Sequence, residues 1–159
     1  MVRVRPYNLI RQLARNGHSV TVCTRWTSEE EKADISRLKS QNVQVHAFPQ
    51  AKWRSLWNCF LAVPTRLPFQ AAFSWNPELA KLLVRQLECN GTEGYDVIHV
   101  EHLRGARYGV FLKSRFPDTP VVWDSVDCIS YLFEQASGQS RSGFGKVVTR
   151  LDLKRTRRY

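Results

Sequence analysis

At 159 residues, with 43% apolar and 24% charged side chains, the chain is one domain's worth of an ordinary soluble globular protein with a sizeable core. Its longest apolar run, near Cys59 to Val63, is too short for a membrane-spanning helix. The net charge of +10, much of it in Arg150, Lys154, Arg155, Arg157 and Arg158, favours polyanionic partners: nucleic acid, an anionic membrane leaflet or phosphate-bearing substrates.

Cys23, Cys59, Cys89 and Cys128 show no Cys-x-x-Cys spacing and follow no secretory signal. Buried free thiols in a cytoplasmic protein are expected, with neither a disulfide nor a metal site.

Pro6 to Asn16 reads as a helix, with proline in its first turn, Gly17 as its C-terminal cap and Tyr7, Ile10, Leu13 and Ala14 toward one face. His18 to Cys23 reads as a strand. Ser28 to Glu31 fits a capping box whose carboxylates suit the positive end of a helix that ends near Ser40. Val43 to Phe48 is a second strand, and this alternation predicts βαβ units in a parallel sheet.

Lys52 to Trp75 breaks the rhythm. Trp53, Trp57 and Phe60 recur at helical spacing beside Lys52 and Arg54. Two readings stand, and they are not exclusive: a helix packed on the core, or a basic, tryptophan-rich interfacial or acceptor-facing surface of the kind that lies on membranes. Asn76-Pro77-Glu78 starts a helix whose apolar stripe is Leu79, Leu82, Leu83 and Leu87. Asn90 to Gly94 then turns the chain into a short buried strand, Asp96 to Glu101.

After that strand come Glu101, His102 and Arg104, and a helix in which Gly105 and Gly109 allow close contact with the sheet. Val121 to Asp124 is the next strand and ends in Asp124, Ser125 and Asp127. A helix from Cys128 to Ala136, a Ser/Gly-rich loop from Ser137 to Gly145 and a basic helix complete the chain. Ligands of open parallel sheets bind outside the carboxyl ends of strands, where these polar groups stand. The plainer reading is a capped helix start with solvated charges. His99, inside its strand, reads as a core histidine.

The stretch Arg5-Pro-Tyr-Asn-Leu-Ile-Arg-Gln-Leu-Ala-Arg-Asn-Gly-His-Ser-Val-Thr-Val22 resembles the opening of nucleotide-sugar-dependent glycosyltransferases of the GT-B fold, the group 1 or family 4 type. There, a first helix is followed by Gly-His-x-Val and the second strand. Tyr95 to Val100 and Pro120 to Asp127 are similar to two later strands of that family. The forms VEHLRGARYG and VVWDSVDCIS look like a bacterial subgroup that makes exopolysaccharide or cell-surface glycan.

The resemblance implies an α/β fold, a Rossmann-like parallel sheet with helices on both faces, forming the N-terminal half of a GT-B fold. Residues 1–159 are then an acceptor-side domain cut at both ends, without its first strand and without the donor-binding second domain. That strand would lie between those at Val20 to Cys23 and Val97 to Val100. Its loss predicts a gap or the Val2 to Val4 segment pressed into it, and an inactive, aggregation-prone fragment. The implied reaction moves a sugar from a nucleotide sugar to a glycan or lipid-linked acceptor, with retention. Many relatives carry histidine directly after the central strand; here Glu101 and then His102 stand there, and either is a candidate general base or orienter. Arg104, Asp124, Ser125 and Asp127 are expected to bind substrate, together with Arg5. No cofactor is implied beyond the donor. The implied location is cytoplasmic, peripheral at the inner membrane face.

The competing class is a non-enzymatic basic α/β domain that binds nucleic acid. Such a domain interleaves aromatic and basic residues on a sheet face, whereas the strands here are apolar, so no nucleic-acid partner is expected. No Gly-x-Gly-x-x-Gly follows a strand, which sets a dinucleotide-binding reading aside.

Overall fold

The structure, a computed structural model, describes residues 4–39, 43–89, 94–125, 131, 134 and 143–159. The fold is α/β, with parallel strands and helices on both faces, as a Rossmann-like domain has. The chain divides into two compact units, Met1–Lys52 with Asn76–Gln86 and Trp53–Trp75 with Leu87–Tyr159.

The first unit contains α1 (Val4–Arg15), β1 (Thr21–Trp26), α2 (Glu29–Lys39), β2 (Gln44–Pro49) and most of α5 (Pro77–Cys89). Val4 is helical and forms no strand, and Val2 lies outside the described residues. Gly17, at φ +86, closes α1: its N–H donates to Ala14 O while the His18 N–H donates to Leu13 O. This paired closure needs a left-handed residue, which glycine adopts without a Cβ clash. It also holds His18 at the helix end, and the strand begins at Thr21 instead of His18. β1 and β2 run parallel, in register from Thr21 opposite Gln44 to Trp26 opposite Pro49.

At the start of α2, Ser28 Oγ accepts from the Glu31 N–H at 3.3 Å. The Glu31 carboxylate in return accepts from the N–H and the hydroxyl of Thr27, at 2.7 and 2.8 Å. The expected capping box is therefore present, displaced by one residue on its return side. The Thr27 N–H is the main cause holding the Glu31 carboxyl below its usual pKa. Asn76 caps α5 as expected: its side-chain oxygen accepts from the N–H of Glu78 and of Leu79. Its amide donates to Gln50 Oε1 at 3.1 Å, so this buried polar pair is satisfied on both sides.

The second unit holds α3 (Lys52–Ala62, from Trp53 on), α4 (Phe69–Phe73), β3 (Ile98–Glu101), α6 (His102–Arg115), β4 (Val121–Asp124) and α7 (Gly143–Thr156). β3 and β4 are parallel, with Ile98 opposite Val121 and Glu101 opposite Asp124. Helix α6 lies on them at close range. A Cβ on Gly105 would stand 2.9 Å from Val100 Cγ1, and one on Gly109 3.1 Å from Val100 Cγ2. The inner face of α6 buries Leu103, Ala106, Tyr108 and Leu112. Tyr108 donates its hydroxyl to Ser74 O at 2.9 Å and stacks on Trp75, over which Arg107 also sits at 4.1 Å.

Helix α7 begins at Gly143, so Gly143 to Gly145 belong to a helix and not to the expected loop. The expected helix from Cys128 to Ala136 falls largely outside the described residues. Asp152, buried, accepts from the Phe69 N–H at 2.6 Å. Arg155 donates to the carbonyls of Ala62, Val63 and Leu67 and lies over the Phe69 ring at 4.4 Å. Arg157 pairs with Glu134 at 3.2 Å. Two of the terminal basic residues are thus engaged in holding structure.

Of the described cysteines none is in a disulfide; Cys23 and Cys59 are partly buried, whereas Cys89 is exposed, against the expectation that all are buried. Burial pushes the Cys23 thiol up to about 11. No helix among the described residues is long and apolar enough to cross a membrane.

Candidate functional site

Side chains alternate along a strand, and in a parallel pair the residues in register share a face. On β3 and β4, Val100 and Val121 face α6. The opposite face therefore carries His99 and Glu101 from β3, with Val122 and Asp124 from β4. Glu101 and Asp124 stand side by side at the carboxyl ends of their strands. The sheet register thus assembles a polar group that the sequence presents in two separate segments.

His99 is exposed, contrary to the expectation of a core histidine, and its Nε2 lies 3.9 Å from Asp124 Oδ2. It falls on the sheet face that α6 does not cover, and that is why it is not buried. The i, i+2 spacing of His99 and Glu101 is the signal from which this was legible.

Immediately after Glu101 the chain turns a sharp corner. His102 has φ 57, the only positive φ at a non-glycine position among the described residues. A non-glycine residue held there stores about 1–3 kcal/mol of strain and persists where its surroundings determine it; such residues cluster at functional sites. The corner leaves the His102 imidazole mostly buried, with Nε2 3.8 Å from Glu101 Oε2. The other carboxylate oxygen, Glu101 Oε1, is buried and has no hydrogen-bond partner among the described residues. An unmet buried acceptor costs roughly 1–3 kcal/mol, which a hydroxyl donated by a ligand would recover.

Arg104 is exposed on the first turn of α6, and Ser125 is exposed just past β4. Asp127 lies outside the described residues. Arg5 is exposed near the start of α1, in the first unit. The second unit therefore brings together Glu101, His102 and Asp124 and adds His99 to them. Among the described residues no three His, Cys, Asp or Glu side chains are grouped as a metal ion requires. The arrangement is a pair of carboxylate–imidazole couples beside an exposed valine. Such couples orient hydroxyl groups and exchange protons with them.

A family model described as a glycosyl transferase 4-like domain matches residues 2–158. The chain belongs to the glycosyl transferase 4-like family. No curated protein and no solved structure matches it. As a glycosyl transferase 4-like domain it is the N-terminal domain of a glycosyltransferase, and binding of a sugar donor and an acceptor follows in general terms.

Proposed function

We propose that this domain forms the acceptor side of a retaining glycosyltransferase, which moves a sugar from a nucleotide sugar to a hydroxyl of a glycan or lipid-linked acceptor. The single observation that supports the assignment of the site is the buried Glu101 Oε1, without a hydrogen-bond partner among the described residues, at a strained strand-to-helix corner. In this reading the acceptor hydroxyl donates to Glu101, and His102, with Nε2 3.8 Å from the other carboxylate oxygen, stands beside it as the second candidate base or orienter. Arg104, Asp124 and Ser125 read the sugar hydroxyls, Arg5 and Asp127 contribute to substrate binding, and no separate cofactor takes part. The product is a bacterial exopolysaccharide or surface glycan, made in the cytoplasm at the membrane face.

The polyanion-binding alternative is disfavoured by the engagement of Arg155 and Arg157 within the second unit.

The test is steady-state kinetics of the full-length enzyme with a nucleotide-sugar donor and an acceptor. Glu101→Gln and His102→Ala should leave the donor KM nearly unchanged, while at least one lowers kcat by about 100-fold, the scale of a lost base or orienter. Wild-type turnover in both variants removes the assignment.

A further inference from the structure

Two arginines of the second unit are held by aromatic rings and use that placement differently. Arg155 lies over Phe69 at 4.4 Å and spends its donors on the carbonyls of Ala62, Val63 and Leu67. Arg107 lies over Trp75 at 4.1 Å. Trp75 is itself fixed, stacked on Tyr108 at 4.8 Å and in edge contact with Phe111 at 5.6 Å. Yet among the described residues the Arg107 guanidinium donates no hydrogen bond and pairs with no carboxylate.

Helix α6 carries no acid, and none stands between Glu101 and Asp118. Arg107 is half-buried, and burial pushes its pKa down while the phenols of Tyr159 and Tyr108 oppose that shift. The Tyr108 hydroxyl is already given to Ser74 O. The Tyr159 hydroxyl, within electrostatic reach of Arg107, makes no hydrogen bond among the described residues. A guanidinium offers five N–H donors in a planar fork. Packing accounts for Arg155, whose donors end on protein oxygens. It leaves the fork of Arg107 unspent, and phosphate and carboxylate are the groups whose geometry that fork fits.

Position says whose oxyanion it is. His102 opens α6, and Arg107 follows five positions on, a rise of about 7.5 Å along the helix, with Arg104 between them. Side chains on a helix lean toward its N-terminus, so Arg104 and Arg107 lean back toward the Glu101–His102 corner. The interval suits a charged group carried close to the hydroxyl that reacts.

We propose that Arg107, with the Tyr159 hydroxyl beside it, is an oxyanion subsite for a phosphate or carboxylate group of the acceptor, and that the acceptor is an anionic saccharide. The assignment to the acceptor rests on the acceptor-side reading of the Glu101–His102 corner. Binding at Arg107 is measured without turnover, so failure of either test leaves the other readable.

The full chain, isotope-labelled at its arginine side chains, is titrated by nuclear magnetic resonance with glucose-6-phosphate, glucuronate, glucose and uridine diphosphate. At least one of the two sugar anions should shift the Arg107 Nε–H signal and bind at least about tenfold more tightly than glucose. The stronger of the two names the charged group. Arg107→Gln should lose about tenfold in that affinity, and Arg107→Lys should fall between, keeping the charge without the fork. Arg115→Gln, on the exposed far end of the same helix, should bind as the wild type does. No Arg107 shift with either sugar anion overturns the proposal, as does wild-type affinity in Arg107→Gln. Uridine diphosphate that binds there more tightly than both sugar anions assigns the subsite to the donor and overturns the acceptor assignment. If Arg107→Gln fails to fold, Arg107→Lys and the wild-type shift decide.

Discussion

The contact between α6 and the β3–β4 pair sets the position of the Glu101–His102 corner, and it can be tested by adding one methyl group. Gly105→Ala would place a Cβ 2.9 Å from Val100 Cγ1, closer than such atoms approach. Val100 is buried on a strand, and its β-branched side chain has little freedom to swing aside. Overpacking of this kind costs about 1–3 kcal/mol, and the better helix propensity of alanine returns about 1 kcal/mol. The net expectation is a loss of about 0–2 kcal/mol, or roughly 2–4 °C in Tm for each kcal/mol at this chain length. Gly143→Ala, with nothing within 4 Å of its added methyl, is the control and should be neutral or stabilising. Combining Gly105→Ala with Val100→Ala should cost less than the sum of the two, because the new methyl enters the space that the valine vacates. Urea melts of the four variants measure this. If Gly105→Ala stabilises as much as Gly143→Ala, and the double variant is merely additive, the helix does not lie where the structure places it.

Two further outcomes are expected. Asn76→Ala removes the cap of α5 and leaves the Gln50 side chain short of a partner, for a loss of about 1–3 kcal/mol read by the same melts; a change below about 0.5 kcal/mol counts against the cap. Glu31 has its pKa lowered by the Thr27 N–H, so its contribution to stability is present above the unfolded-state pKa and is lost as pH falls through the folded one. Glu31→Gln should therefore flatten the acid side of the stability-versus-pH curve and leave its slope above neutrality unchanged. An unaltered acid limb would show that the capping contact does not form.

Helix ends and strands were legible from local chemistry alone. The turn at Gly17, the cap at Asn76, the Ser28–Glu31 pair and the strand at Val121 to Asp124 each depend on residues within a few positions of one another. One misplacement and one open choice share a cause. His99 was given an interior place, and the aromatic side of α3 was left between core and surface, because apolar neighbours and helical spacing say which residues share a face. They do not say which face meets the rest of the protein. On β3 that choice was made by Gly105 and Gly109, which bring α6 onto the Val100 side and leave His99 and Glu101 on the other. On α3 it was made by the small polar side, Ser55 and Asn58, which fits against neighbouring backbone where large rings would not.

The sequence by itself determined the family, the alternation of strands and helices, and the nearness of Glu101 to His102, since adjacent residues meet whatever the fold. Only the tertiary structure decided that Asp124 stands in register with Glu101, a pairing across 23 positions that no local pattern encodes. It alone showed that one oxygen of Glu101 is buried without a partner among the described residues. Strand register and burial are properties of segments brought together from far apart in the chain, and they arise only when those segments pack.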